Sequence, residues 1–315
     1  MSQPERRTTP EHEVLVAEDH ADRRAVSRGM ALGFLGVLAF SLTLPMTRLA
    51  VADIEPVWLV FGRAEIAAAL AAIVLFVRGV PLPPRRHWGA LFGAALGVVV
   101  GFPLLSALAM RTTEAAHGSI IVALLPLATV IAAARLAHER PTPAFWGSAL
   151  AGSAVVLGFA FWRGSGALSA GDLALLGAVA ACAVGYAYGG MLSRDLGGWQ
   201  TICWILVFSA PILLIPAAWL TAVTPLAHVS WQAWGAFAYV AVFSQLVGFF
   251  FWYGGMAIGG VARVSQVQLL QLFLTLIFAG LINGETVGAS TWIVAAVVVL
   301  IVALGRRAAV LRPSA

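Results

Sequence analysis

Lysine is absent from this sequence, and all nineteen of its basic side chains are arginine. Charge of either sign is scarce: charged residues make up 10% of the chain, where a soluble domain has roughly a quarter. There are two cysteines, Cys182 and Cys203, both inside apolar runs. That excludes a disulfide framework and a cysteine metal site, and leaves two small buried hydrophobes. No Walker-type loop is present, so ATP is not a direct energy source. No HExxH motif occurs, and the six histidines are scattered: His12 and His20 near the start, His87, His117, His138 and His228 near the ends of apolar runs. An intramembrane enzyme needs paired acids, a metal cluster or a nucleophile with its base, and none of these is visible. No cofactor is expected.

What is there is apolar: 61% of the residues are hydrophobic. A segment of about 20 apolar residues crosses the ~30 Å hydrocarbon core. Ten spans can be drawn, at 30–50, 57–77, 88–109, 114–135, 144–162, 171–191, 199–221, 231–253, 262–283 and 287–305. The expected fold is an all-α membrane protein with short connections. Residues 1–28 are charged, lack periodicity and read as a disordered tail. The first apolar run lacks a small-residue cleavage site and is read as a retained helix.

The net charge of +5 could suggest nucleic acid, but the arginines sit between apolar runs, where they act as topology signals. With the N-terminus inside, one side collects Arg6, Arg7, Arg23, Arg24, Arg28, Arg78, Arg85, Arg86, Arg135, Arg140, Arg194, Arg263, Arg306, Arg307 and Arg312. The other collects Arg48, Arg111 and Arg163, with Arg63 left inside a span. This bias places both termini in the cytoplasm and the chain in the inner membrane of a bacterium.

The chain also repeats itself at a shift of 146 residues without gaps. The shift pairs Arg48 with Arg194, Trp58 with Trp204, Trp88-Gly89-Ala90 with Trp234-Gly235-Ala236, and Trp146 with Trp292. It also pairs Ala116 with Ala262, Ser119 with Ser265, Thr129 with Thr275, and Glu139 with Glu285. Chance apolar similarity does not align tryptophan in this way. Each half, 29–162 and 171–305, holds five spans, an odd number, so the halves enter the membrane in opposite directions. Inverted repeats with a site at their interface characterise secondary transporters.

The segment SIIVALLPLATVIAAARLAHERPT (119–142), its partner SQVQLLQLFLTLIFAGLINGET (265–286) and the five-plus-five plan resemble the drug/metabolite transporter superfamily, in its EamA-type branch. The resemblance covers about residues 29–305. Within the superfamily the chain resembles exporters of amino acids and related metabolites, including YddG-type aromatic amino acid exporters. The resemblance implies export by alternating access. The chain departs from the pattern at Gln271-Leu272, which stands where the first half has Leu125-Pro126. Glu139 and Glu285 match the family's acid after spans four and nine. They stand just before spans five and ten, where a carboxylate favours a helix N-terminus.

The richest stretch is Phe243 to Glu285, two apolar segments carrying Ser244, Gln245, Ser265, Gln266, Gln268, Gln271 and Thr275 around a Gly-rich turn. Polar groups in hydrocarbon need partners or a wet cavity, so this stretch is read as a cavity wall. At 100° per residue Gln268, Gln271 and Thr275 share a face of the ninth span, with Ser265 at its margin. Their first-half equivalents are Val122, Leu125, Thr129 and Ser119. Thr275 and Ser265 are thus shared scaffold, and the glutamines are what one half adds. They serve either as substrate ligands or as interhelical glue. In the eighth span Gln245, Phe249 and Trp252 form a stripe beside Tyr253. The aromatics suit either an amphipathic solute or an interfacial belt.

In the second span Trp58, Phe61 and Glu65 fall on one face and Arg63 on another. Glu65 lies roughly 13 Å deep. A charge at mid-membrane is a functional candidate by default. Glu65, like Arg63, is therefore a candidate to meet a charged end of the solute, with proton coupling left open. Arg63 either binds a substrate carboxylate or snorkels outward. The first span carries Ser41, Thr43, Pro45 and Thr47 but no carboxylate, which counts against small-multidrug-type exchange of cations for protons. Pro45 and Pro103 are expected to loosen their helices, and at most one of Tyr186 and Tyr188 to line a cavity. Gly89, Gly93, Gly97 and Gly101, spaced by four, permit close helix approach.

The expectation is thus a secondary transporter exporting amino acids or similar amphipathic metabolites. Its candidate substrate residues are Gln245, Phe249, Trp252, Gln268, Gln271, Thr275, Arg63 and Glu65. The partners are a small-molecule solute and the lipid bilayer, with no nucleic acid and no metal. A monomer suffices. The alternatives are a channel-like metabolite pore and, further off, an intramembrane enzyme.

Overall fold

The structure, a computed structural model, describes residues 27–136, 143–163, 168–224, 226–259 and 264–307. The tail read as disordered therefore lies outside the described residues, apart from its last two positions, as do Glu139, Arg140 and Arg263. The described residues are helical, with no strand among them. Seven helices are long and apolar enough to cross a membrane: α1 (Ser27–Ala50), α2 (Pro56–Val77), α3 (Arg85–Met110), α4 (Ala115–Leu136), α6 (Ala170–Leu196), α7 (Gly198–Val223) and α8 (Trp231–Ile258). Three more, α5 (Pro143–Arg163), α9 (Leu269–Asn283) and α10 (Ala289–Arg307), carry shorter apolar stretches.

Local chemistry sets the helix ends. Glu55 accepts the Trp58 backbone N–H at 2.8 Å, and Pro56 opens α2 with the φ a first turn requires. Ser169 and Asp172 close a capping box at the start of α6. Ser230 caps α8. Gly284, at φ +66°, ends α9 in the left-handed conformation that glycine adopts without strain. Phe76, Ile215, Leu281 and Trp231 point outward, as a hydrocarbon solvent permits.

Helix pairing follows the 146-residue shift. α2 packs on α7, α4 on α9 and α5 on α10, each helix against its own repeat partner. α1 packs on α8 and α9 as α6 packs on α3 and α4. The glycine ladder serves the α3–α6 contact. A Cβ on Gly97 would stand 2.5 Å from the Ala181 carbonyl oxygen and 2.7 Å from Gly185 Cα, and one on Gly93 would strike the Tyr188 ring. Gly89 faces open space and does not take part.

Two local breaks differ from a regular reading of the sequence. α3 turns π-helical over Leu96–Gly101, just before Pro103, whose missing N–H removes one rung of the ladder. α8 does the same over Val240–Val247 with no proline to cause it. The ninth span is also interrupted among the described residues. Val264 is helical, Ser265–Gln268 form a 3-10 turn and the regular α-helix runs over Leu269–Asn283, so the 100° spacing assumed from residue 262 is broken at Gln268.

Candidate functional site

The two π-helical segments meet. Gln245, in the π segment of α8, donates from Nε2 to the Val98 carbonyl oxygen, in the π segment of α3, at 3.2 Å. A π turn frees a carbonyl from the regular ladder, which makes such an acceptor available. The other end of the same amide meets α2. Arg63 Nη2 donates to Gln245 Oε1 at 2.6 Å and lies 3.4 Å from Ser244 Oγ. Ser244 in turn shares a hydrogen bond of 2.8 Å with Thr43 on α1. Four helices thus converge on one polar cluster.

Arg63 is 2% exposed, among the most buried large side chains of the protein. Its Nε and Nη1 have no hydrogen-bond partner among the described residues. The snorkelling alternative is thereby excluded: the guanidinium points into a cavity. That cavity encloses about 470 Å³ of non-atom space, its opening to solvent included. Phe40, Phe102, Tyr186 and Phe249 give it aromatic walls, and Thr43, Arg63, Ser244, Gln245 and Gln271 its polar atoms. Phe40 meets Phe249 edge-on at 4.9 Å, and Tyr186 meets it at 6.0 Å. Of the two tyrosines of α6, Tyr186 lines the cavity and Tyr188 packs on Gly93.

A second cavity, of about 420 Å³ with its opening, adjoins the first and shares Leu44, Val122 and Gln271 with it. Gln268, Gln271, Thr275 and Ser119 supply its polar lining. Gln271 therefore stands between the two, with a buried Oε1 that has no partner among the described residues. Thr275 donates to the Ser41 carbonyl oxygen at 2.9 Å, an interhelical tie that fits its place in the duplicated scaffold.

Two candidates lie elsewhere. Trp252 lines neither cavity. It is fully buried behind Phe40 and Tyr186, at 6.2 and 6.0 Å. The interfacial-belt alternative fails for both Trp252 and Tyr253, each 0% exposed. Glu65, two residues from Arg63 on the same helix, also lines neither cavity, although its Oε1 is buried without a partner among the described residues. Ser244, Thr43 and Tyr186 join the site without having been singled out as ligands. Their signal in sequence was the presence of polar groups at mid-span.

The duplicated acid behaves differently from the expectation. Glu285 does not favour the helix that follows it. It accepts the backbone N–H groups of Ala115 and Ala116, each at 2.8 Å, and so caps α4 from the other half of the chain. Arg48 completes the cluster with Nε 3.1 Å from Glu285, while its Nη1 donates to the Thr113 carbonyl oxygen.

The EamA-like transporter family matches the chain twice, over residues 27–162 and 169–305. The chain belongs to the EamA-like transporter family. It is 44% identical over 286 residues to the uncharacterized transporter YdeK of Bacillus subtilis (strain 168), covering 89% of this chain and 98% of that protein. It is 24% identical over 229 residues to the uncharacterized transporter YyaM of the same organism, covering 70% of this chain and 73% of the other. A solved crystal structure, 19% identical, shares the fold with a TM-score of 0.62 over 88% of this chain and 96% of its own. The protein is accordingly a membrane transporter, and its family is one of transporters, not enzymes.

Proposed function

We propose that the protein is a secondary transporter that exports amino acids, aromatic ones included, or similar small amphipathic metabolites across the cytoplasmic membrane of a bacterium. The observation that carries this is the cavity lined by α1, α2, α3, α4, α6, α8 and α9, with a guanidinium of which two nitrogens lack partners among the described residues and with aromatic rings along its walls. An amphipathic solute with a charged end and an apolar body is complementary to it. Arg63 would meet the charged end. Gln245, Gln268 and Gln271 would hydrogen-bond the solute, Phe249 would cover its apolar part, Thr275 would hold the second cavity's wall, and Trp252 would support the rings from behind.

The mechanism in this proposal is alternating access by ten helices in two inverted repeats, with both termini cytoplasmic. The twofold family match, the pairing of helices 146 residues apart and the recurrence of a π segment in each half support it. Export, as the direction, rests on the family resemblance. Glu65 is the other candidate for a charged end and for any proton coupling, and a monomer is sufficient. The test is uptake by proteoliposomes of a panel of amino acids and related metabolites, with and without a pH gradient. Saturable flux is expected. Flux that rises linearly with concentration would replace the carrier by a pore, and a full pH response retained by Glu65→Gln would remove Glu65 from the coupling.

A further inference from the structure

We infer that the Arg63 cavity selects apolar carboxylate anions over zwitterions and amines bearing the same apolar body. The inference rests on reading this cavity as the solute site, and within that proposal it favours the carboxylate metabolites over the amino acids, which are zwitterions. Among the described lining residues Arg63 is the one charged side chain, and no aspartate or glutamate accompanies it. Arg48 is paired with Glu285, and the contacts His87–Asp195 and His117–Asp172 also lie away from this cavity. Arg63 gives one nitrogen to Gln245, which is neutral, and two remain without acceptors.

A cation held this far from water is unfavourable until an anion meets it. Guanidinium–carboxylate hydrogen bonds are among the strongest available in such a place. An ammonium in the same space would face Arg63 as a like charge. Gln271 Oε1, a free acceptor, could hydrogen-bond it but could not balance its charge. The polar group that Gln271 can serve is neutral, a hydroxyl or an amide N–H at the far end of the solute. Phe40, Tyr186 and Phe249 then take the apolar body.

The probes are phenylpropionate, phenylalanine and phenethylamine, which share one ring and one chain length and differ in charge. Binding is read as a shift in thermal unfolding of the full-length protein in detergent, and flux in proteoliposomes against protein-free vesicles. Phenylpropionate should half-saturate at a concentration at least about tenfold below that of phenylalanine, with phenethylamine weaker still. Arg63→Gln should weaken phenylpropionate binding about tenfold or more, and Arg63→Lys, which keeps the charge but loses the planar donors, by less. The unliganded melting of Arg63→Gln reports folding, and if that variant does not fold, Arg63→Lys carries the comparison. Equal binding of the three probes, binding of none, or phenylpropionate binding untouched by either variant overturns the inference. Carboxylate-selective binding without flux supports it and instead refutes transport of these solutes. Saturable phenylalanine flux without carboxylate preference overturns it and leaves the transporter standing.

Discussion

Arg48 and Arg63 stand fifteen residues apart on adjacent helices, α1 and α2, and the fold treats them in opposite ways. Arg48 is the more exposed, yet it has an ion pair with Glu285, a carbonyl acceptor in Thr113, and a share in capping α4. Arg63 is buried and has two neutral oxygens on a single nitrogen. A chain that places a carboxylate on Arg48 from some 240 positions away has the means to pair an arginine fully when stability requires it. In the proposal above, the incomplete pairing of Arg63 serves a solute. One arginine ties the two halves together at a helix end, and the other leaves its charge for an incoming group.

The largest expected effect falls on the paired arginine. Glu285→Ala removes the acceptor of two backbone N–H groups and leaves Arg48 with an unbalanced charge. Since Glu285 is nearly buried, the loss should be about 3 kcal/mol. Thermal melting in detergent checks it, and flux per folded molecule should be unaffected. Arg63→Gln should do the reverse. It deletes a buried charge without a counterion, so melting should hold or rise, while solute flux falls about tenfold, equivalent to ~1.4 kcal/mol. A melting loss as large as that of Glu285→Ala would make Arg63 a structural residue and erase the contrast.

The glutamines come next. Gln271→Leu removes an acceptor that has no partner among the described residues, so it should leave stability within about 1 kcal/mol. It should reduce flux about threefold, and Gln268→Leu, which lines one cavity and not both, by less. Wild-type flux in both variants would detach the second cavity from the transport path.

Much of this was legible in the sequence because the bilayer simplifies the problem. Continuous apolar runs announce helices, and the gapless 146-residue shift announces which helices correspond. Gln245 and Gln271 stood out because Val99 and Leu125 occupy their places in the first half. What could not be read was which face turns inward, and what lies opposite. A helical wheel puts Arg63 on a face apart from Trp58, Phe61 and Glu65, but only the meeting of α2 with the π segment of α8 shows that Arg63 lines a cavity. A helical wheel also fails across a π turn, since the register shifts there. Glu285 was read against the helix next to it in sequence, while its true partner, the α4 N-terminus, is 170 residues away. Long-range caps of this kind leave no local pattern.

The smallest effect tests whether every polar tie between the halves resembles the Arg48 cluster. Asp53, between α1 and α2, accepts the Ser230 backbone N–H at 3.0 Å and the Ser230 hydroxyl at the cap of α8. Those two donors hold its carboxyl below the usual carboxylate range. A depressed folded pKa means that the bond contributes above the unfolded value, near 3.8, and is lost as pH falls through the lower folded value. Asp53 is exposed, so water competes for it and screens it. Asp53→Asn should therefore lower the melting temperature slightly at about pH 7, and the difference from wild type should close in acid, once the pH falls through the lowered folded value. A difference that persists in acid would mean that Asp53 acts through packing and not through its charge. One as large as that of Glu285→Ala would mean that burial is not what separates a strong tie from a weak one in this protein.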